Sequence, residues 1–235
     1  MKAVVLAGGK GRRLEPYSTI VPKPLMPVGD VPIMEIIVRK LVKNGFNEIY
    51  VACGHLAELI KSYFNDGKKW GAKIEYSIED KELGTVGPLK LLRNQLDESF
   101  LVVNGDTLTD LNFSKIFNFH IIQGASLTIG VVKRSIYVDF GVVDFEGDEL
   151  VGYTEKPTIE YYVSMGVYVF NPYILRRLPE NVKYDLPDLV RDLLKDNLKV
   201  VVYRHEGFWL DLGRKEDFEI AYEEFEKRRK EILQE

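Results

Sequence analysis

Five consecutive apolar residues, Ala3-Val4-Val5-Leu6-Ala7, run without a polar break into Gly8-Gly9-Lys10-Gly11-Arg12-Arg13-Leu14. A strand without alternation is buried on both faces, and a mostly parallel sheet covered by helices on each side provides that environment. The residues that follow keep to such a plan. Helical spacing at Ile33, Ile36, Ile37 and Leu41 precedes the β-rich Glu48 to Cys53, and Leu56, Leu59, Ile60, Tyr63 and Phe64 then form an i, i+3, i+4, i+7, i+8 stripe. Lys73 to Ile78 reads as a strand, Thr85 to Leu96 as a helix, and Phe100 to Val103 as a buried strand ending at Asn104-Gly105-Asp106. Alternation of this kind implies right-handed crossovers and a doubly wound sheet, whose ligands lie beyond the carboxyl ends of the strands.

From Ser126 onward turns replace helices: Ser126 to Val132, Phe140 to Phe145, Glu149 to Thr154 and Tyr161 to Phe170 are strand-like, which implies an inserted mixed β lobe. Asn171-Pro172 and Asp185-Leu186-Pro187 read as helix starts, a capping side chain followed by proline in the first turn. The last element places Phe218, Ala221, Tyr222 and Phe225 on one face and ends in Lys227-Arg228-Arg229-Lys230, read as a solvated helix end. No linker or repeat divides the 235 residues, so one domain spanning 1–235 is expected, with halves 1–110 and 111–235. The expected fold class is α/β, a doubly wound, mostly parallel sheet with that inserted mixed β lobe.

Charge and cysteine usage narrow the class of function. With 32 Lys and Arg against 36 Asp and Glu the net charge is -4, which disfavours a nucleic-acid clamp. The longest stretch free of formal charge, Ile116 to Val132, contains Asn118, His120, Gln123, Ser126 and Thr128 and does not read as a membrane span. The apolar run after Lys2 is too short for an export signal. The single cysteine, Cys53, excludes an internal disulfide framework and suits a reducing compartment, so a cytoplasmic location is expected, without nucleic-acid or membrane partners.

The densest chemical signal is the glycine-rich turn itself. Backbone amides without Cβ cover approach phosphate closely. Leu14 stands where a GxGxxG fingerprint needs its third glycine, and neither Gly9-Lys10 nor Gly67-Lys68 is followed by Ser or Thr, which excludes a Walker A loop. A turn with surface charges is the plainer reading; Arg12, Arg13 and Lys23 nearby favour a phosphate cradle. Pro16, Pro22, Pro24 and Pro27 are expected to keep the chain extended, with no helix directly after the glycines. Lys23 projects between two prolines and so loses less entropy on binding a phosphate, although Pro-Lys-Pro also suits a linker.

Asp106 follows an apolar strand and a glycine, at the sheet edge where a cation and phosphates meet. Asp211 sits within Phe208-Trp209-Leu210-Asp211-Leu212-Gly213, where a buried carboxylate is costly without a cation or hydrogen bonds. Each alone suits a turn or cap; the pair suits Mg²⁺ held from two sides. His55, His120 and His205 lack metal-ligand spacing and read as structural or surface residues, and Cys53 as a buried, inert thiol. No Ser or Thr near the glycines has the context of a nucleophile, so no covalent protein intermediate is expected.

In this order the motifs resemble those of the sugar-1-phosphate nucleotidyltransferases, over nearly the whole chain. The pattern LAGGxGTRLxPxT followed by PKP matches Leu6 to Thr19 and Pro22 to Pro24, and LGTxGxL matches Leu83 to Leu89. The strand end NGD is Asn104-Gly105-Asp106, and FGV, EKP and aromatic-x-DxG are Phe140-Gly141-Val142, Glu155-Lys156-Pro157 and Trp209 to Gly213. The resemblance implies a Rossmann-like sheet in which 1–110 is the nucleotide-binding half and 111–235 supplies the sugar-binding lobe and a second metal ligand. It implies that Leu6, Ala7, Gly8, Gly9, Gly11, Arg12, Arg13, Gly84 and Thr85 bind the nucleotide, and that Asn104, Gly141, Glu155, Lys156 and Ser164 surround the sugar phosphate. Arg13, Lys23 and Asp106 would be catalytic, with Asp106 and Asp211 ligating Mg²⁺. Two positions depart from the pattern: Arg12 replaces Thr in the glycine loop, and Ser164 stands where many relatives have Asn. The chain stops after the helix that follows Gly213, so the β-helix extension of some relatives, and an acyltransferase activity with it, is not expected.

The activity so implied is attack by a sugar-1-phosphate oxygen on the α-phosphorus of an NTP, giving an NDP-sugar and pyrophosphate. Leu83 to Leu89 resembles most the mannose-1-phosphate guanylyltransferases, which points to GTP and mannose 1-phosphate. UTP or dTTP with glucose 1-phosphate, and guanylyl transfer to a heptose 1-phosphate, remain open. Two other classes compete: a GT-A glycosyltransferase, which would consume an NDP-sugar, and a non-catalytic nucleotide-sugar-binding regulatory subunit. An aromatic content of 11% leaves apolar surface for a homo-oligomeric contact.

Overall fold

The strand β1 (Lys2–Ala7) lies inside a seven-stranded sheet, with Ala3, Val4 and Val5 fully buried, as its unbroken apolar run requires. The computed structural model describes residues 1–233. A two-stranded turn, β2 (Pro27–Val28) and β3 (Val31–Pro32), leads into α1 (Ile33–Lys43), followed by β4 (Glu48–Cys53), α2 (Ala57–Phe64), β5 (Lys73–Ile78), β6 (Phe100–Asn104), β7 (Thr107–Thr109) and α3 (Phe113–Gln123). The second half contributes β8 (Leu127–Tyr137), β9 (Val142–Glu146), β10 (Glu149–Thr154), β11 (Thr158–Phe170), α4 (Ile174–Arg177), α5 (Leu186–Lys195), β12 (Val200–His205), β13 (Trp209–Asp211) and α6 (Lys215–Leu233).

The sheet order is β12-β8-β11-β6-β1-β4-β5, and every neighbouring pair is parallel except those made by β11, which runs antiparallel to β6 and β8. Successive residues of β1 feed opposite layers. Ala3, Val5 and Ala7 pack with α1, α2, α3 and α6, while Val4 and Leu6 pack with α4, α5 and the segment 87–92. Full burial of a side chain such as Val4 or Val5 contributes about 1.5–3 kcal/mol, so this strand is a fixed platform for the glycines that follow it. The mixed β region consists of the outer ends of β8 and β11 together with the β9–β10 hairpin.

Several local expectations are corrected. Residues 85–96 do not form an α-helix; Gly87–Leu92 is a 3-10 helix, with Val86, Leu89, Leu92 and Leu96 buried. The amides of Val86 and Gly87 both donate to Tyr184 O, at 3.2 and 3.1 Å, and Pro88 has none to give, so the first turn is tied to another segment. The proline-rich stretch is not extended either. It folds as three 3-10 turns, Arg12–Leu14, Tyr17–Thr19 and Lys23–Leu25, with Pro16 and Pro22 at caps and Pro24 in the first turn, where a missing amide costs nothing. The sequence reading missed α3, which Asn112 caps by accepting from the Lys115 amide at 2.9 Å and which ends at Gly124 with φ of 54°.

One buried charge yields a stability test. Lys40, 2% exposed on α1, donates to Thr109 O at 2.6 Å and Ile232 O at 3.1 Å, tying α1 to the end of β7 and to α6. Burial lowers its ammonium from the usual 10.5 to about 7. Between those values the unfolded chain holds a proton that the folded chain has released, so stability rises with pH. Relative to Lys40→Met, the wild type is expected to gain about 2 kcal/mol of unfolding free energy between pH 7 and pH 9 in urea titrations. Parallel pH profiles for the two proteins would show that this amine is not desolvated.

Candidate active site

A cleft of about 860 Å³ opens at the carboxyl ends of β1, β4, β5 and β6. The glycine turn forms its floor. Gly8 and Gly54 approach so closely that a Cβ on Gly54 would lie 2.9 Å from Gly8 O, and Gly11 adopts φ of 62°, which favours glycine. Leu6, Ala7, Gly8, Gly9, Lys10, Gly11 and Arg12 line this wall.

The opposite wall is the Leu83–Gly87 turn. Gly84 has φ of 81°, and an added Cβ there would meet Asp185 Oδ1 at 2.7 Å. Asp185 accepts from the Thr85 amide at 2.9 Å while capping α5, and Thr85 Oγ1 accepts from the Leu186 amide at 2.8 Å. Gly84 and Thr85 therefore face the cleft on a turn pinned to the start of α5.

Lys23 and Asp106 meet at the base of the cleft in a salt bridge between Nζ and Oδ2, with side chains 11% and 22% exposed. Asp106 is held there because the Gly105 amide donates to Leu6 O at 2.9 Å, fastening the end of β6 to β1. Its other oxygen, Oδ1, is buried without a hydrogen-bond partner. The short β7–β13 ladder pairs Asp211 with Thr107, and the Leu212 amide donates to Asp106 O at 3.1 Å, so the two aspartates arrive side by side. Burial, and then the charge of Asp106, hold the Asp211 carboxyl above the usual carboxylate range; Lys23 and Arg13 pull the other way. Arg13 faces Asp211 across Gly213, where an added Cβ would stand 3.0 Å from Arg13 Nη1 and 2.9 Å from Asp211 Oδ2.

The chain that builds this arrangement, glycine amides opposite a partly buried carboxylate pair flanked by Lys23 and Arg13, has relatives among known proteins. The profile of the nucleotidyl transferase family matches residues 2–228. The chain belongs to that family. It is 34% identical to a UTP–glucose-1-phosphate uridylyltransferase of Synechocystis, covering 93% of this chain and 61% of the relative. It is equally 34% identical to the catalytic subunit beta of a mannose-1-phosphate guanylyltransferase of Danio rerio, covering 93% and 62%. The chain thus spans about three-fifths of the length of these curated relatives. Among solved structures, HddC from Yersinia pseudotuberculosis superposes with a TM-score of 0.74 at 25% identity, over 95% of this chain and 99% of that one.

Seen as a nucleotidyl transferase fold, the residues expected around a sugar phosphate fall into two groups. Asn104 lines the cleft, and Ser164 lies close by: Gly166, with φ of 71°, packs so tightly on Asn104 that a Cβ would be 2.6 Å from its Nδ2. Ser164 Oγ is 3.0 Å from the hydroxyl of Tyr168, and Met165 O accepts from Trp209 Nε1 at 2.8 Å. Gly141, Glu155 and Lys156 cluster with one another at the root of the β9–β10 hairpin. Tyr153 packs on Gly141 and donates to Glu155 at 2.8 Å, and Lys156 pairs with Asp139 at 2.8 Å. None of these three lines the cleft.

The cleft also holds residues outside the expected site, among them His55, read in the sequence as structural or surface, and Glu79, which the sequence reading did not single out. His55 lines the wall beside Gly54. Glu79 stands directly after β5, with Oε2 accepting from the Leu83 amide at 3.0 Å and Oε1 against Gly8 and Gly54, where Cβ atoms would come within 2.7 and 2.9 Å. Burial raises its carboxyl above the usual range. The available signal was positional: Glu79 follows its strand at the same sheet edge as Asp106. Elsewhere, Cys53 is 1% exposed, and burial raises its thiol to about 12. His120 is buried against Thr128 Oγ1 at 2.8 Å, and burial lowers it to about 4.

Proposed function

We propose that this chain transfers a nucleotidyl group from an NTP to a sugar 1-phosphate, with GTP and mannose 1-phosphate as the preferred pair. The observation that carries this is the convergence of Lys23 and Arg13 on the Asp106–Asp211 pair beside the glycine turn. The sugar-phosphate oxygen, already an anion, forms the new bond to the α-phosphorus as the bond to the pyrophosphate oxygen breaks, and no general base is needed. The barrier is repulsion between two anions plus the charge gathering on pyrophosphate, which fixed cations offset. In this reading the amides of Gly8, Gly9 and Gly11 hold the phosphates, Arg12 and Arg13 add charge, and Asn104 and Ser164 orient the sugar phosphate.

The residues also fit a divalent cation. Asp106 Oδ1 is buried and unpartnered, and burial, then the charge of Asp106, raises the Asp211 carboxyl above its ordinary range. Among the described residues no set of three or more His, Cys, Asp or Glu side chains forms a metal cluster. Two carboxylates suit Mg²⁺, which usually keeps waters and takes substrate phosphate oxygens as further ligands. Asp106 and Asp211 would hold it, and the bound ion would supply charge neutralisation and a template for the phosphates. Asp106→Asn is expected to raise the magnesium concentration for half-maximal rate by at least about tenfold, the scale on which loss of even a group that only orients a ligand is felt, with thermal stability little changed. An unchanged magnesium titration would remove Asp106 from the ligand set.

GTP is favoured over UTP by Glu79, whose carboxylate presents acceptors to the cleft beside Gly84. Guanine offers two donors on one edge, N1–H and the N2 amino group, whereas uracil offers N3–H between two carbonyls. The uridylyl reading has a relative of equal identity in its favour. A matrix of GTP, UTP, dTTP, ATP and CTP against mannose, glucose and heptose 1-phosphates, scored by pyrophosphate release, decides both questions. GTP with mannose 1-phosphate should turn over fastest; a faster UTP–glucose pair would move the substrate, and silence throughout would overturn the activity. The glycosyltransferase alternative predicts release of NDP from an NDP-sugar instead.

A further inference from the structure

We propose that Asp110 and His205 are positioning residues for the Asp106–Asp211 pair, which rests on the functional reading above. The ladder that brings Asp211 to Asp106 has only three residue pairs, Trp209 with Thr109, Leu210 with Leu108 and Asp211 with Thr107. An isolated two-stranded ladder of this length is marginal, and a slip of one residue would turn Asp211 to the opposite face. Asp106 closes one end of the ladder through the bond from the Leu212 amide. Asp110 closes the other: its amide donates to Phe208 O at 3.2 Å, and its carboxylate meets His205 Nε2 at 2.7 Å across the turn that enters β13.

The pair is largely buried, with side chains 20% and 13% exposed. Gly207 lies directly over it. A Cβ at that position would clash with Asp110 Oδ1, stand 2.7 Å from Oδ2 and stand 2.7 Å from His205 Cε1. Thr109, next in line, is held three ways: its carbonyl by Lys40 at 2.6 Å, its hydroxyl donating to Phe208 O at 2.7 Å, and the same hydroxyl accepting from the Leu111 amide at 3.1 Å. Neither Asp110 nor His205 lines the cleft, and the carboxylate and imidazole are turned on each other, so their role toward the two aspartates is indirect. Fixing register is the best-attested use of a buried polar pair, since its net stabilisation is small.

The test separates positioning from mere support. His205→Leu removes the donor, and His205→Gln keeps an N–H in reach of Asp110. Gly207→Ala, at an exposed site, wedges the pair apart without deleting it and serves if the leucine variant fails to fold. The loss of a group that orients a metal ligand typically costs about 10–100-fold in metal affinity. His205→Leu and Gly207→Ala are therefore expected to raise the half-saturating Mg²⁺ of transfer about tenfold, with the KM for NTP within about twofold and His205→Gln close to wild type. Mn²⁺ titration followed by electron paramagnetic resonance, with a non-hydrolysable NTP analogue, should show the same shift without turnover. Wild-type metal dependence in folded His205→Leu or Gly207→Ala would overturn the proposal, as would a glutamine variant as impaired as leucine. A wild-type protein that binds Mn²⁺ with the analogue but releases no pyrophosphate overturns the transferase reading alone, and the Mn²⁺ shift still decides the role of the pair.

Discussion

Lys23→Ala is expected to turn over about 10²–10³-fold more slowly than wild type, the scale seen when one preorganised charge-stabilising donor is removed. Lys23 leaves a 3-10 turn whose cap is Pro22 and whose second residue is Pro24, so its backbone is fixed before any ligand arrives. Its ammonium rests on Asp106 Oδ2 and bears electrostatically on Asp211. A cation so placed can bear on the transferring phosphorus with little reorganisation. The loss should therefore fall mainly on kcat, with a smaller change in the KM for NTP. A second consequence separates this role from simple support of Asp106. Without Lys23 the two carboxylates face each other with one cation fewer, so affinity for a divalent ion should hold or tighten while the rate collapses. Pyrophosphate-release kinetics across a magnesium series measure both. Near-normal turnover by the purified variant would remove Lys23 from the mechanism, and a fall in rate matched by weaker metal binding would recast it as a support for Asp106.

How far this site was legible in the sequence depends on the range of the interactions that build it. Leu6 to Gly11 and Asn104-Gly105-Asp106 are local patterns, an apolar run meeting glycines, and strand geometry alone places them at one sheet edge. The apposition of Asp211 and Asp106 is not local. It depends on a three-pair ladder between segments about a hundred residues apart and on the His205–Asp110 contact, and no periodicity announces either. Residues 85–96 failed for a different reason. Apolar spacing at Val86, Leu89, Leu92 and Leu96 suits a helix of either pitch, so the pattern does not distinguish a 3-10 from an α-helix. Likewise, prolines were read as keeping residues 16–27 extended, whereas caps and first turns tolerate them equally well. Consequently the glycine wall was readable, the two aspartates were paired in the sequence without the contacts that bring them together, and the far wall was misbuilt in detail.

Glu79→Gln is expected to reverse the base preference, changing the ratio of kcat/KM for GTP over UTP by about 10³-fold. A site built to pair with a given donor rejects the base lacking it by up to about 10⁴–10⁵, because buried polar groups are otherwise left unmatched. The substitution preserves shape, which matters because Gly8 and Gly54 leave no room beside the carboxyl group. It also has a defined orientation. The Leu83 amide needs an acceptor, so the glutamine oxygen takes the place of Oε2 and the NH₂ group points into the cleft where Oε1 stood. An N–H then confronts the N1–H and N2 amino group of guanine, a donor against donors, whereas the carbonyls of uracil or thymine would accept from it. The fall with GTP should appear in kcat/KM, with the KM for sugar 1-phosphate unchanged because the residues proposed to orient the sugar phosphate, Asn104 and Ser164, do not include Glu79. Competition between GTP and UTP in one reaction, with products separated by charge and absorbance, reads the ratio directly. A ratio unmoved by the glutamine would place the base elsewhere along the cleft, away from Glu79, and would leave selection to the backbone of Gly84 and Thr85.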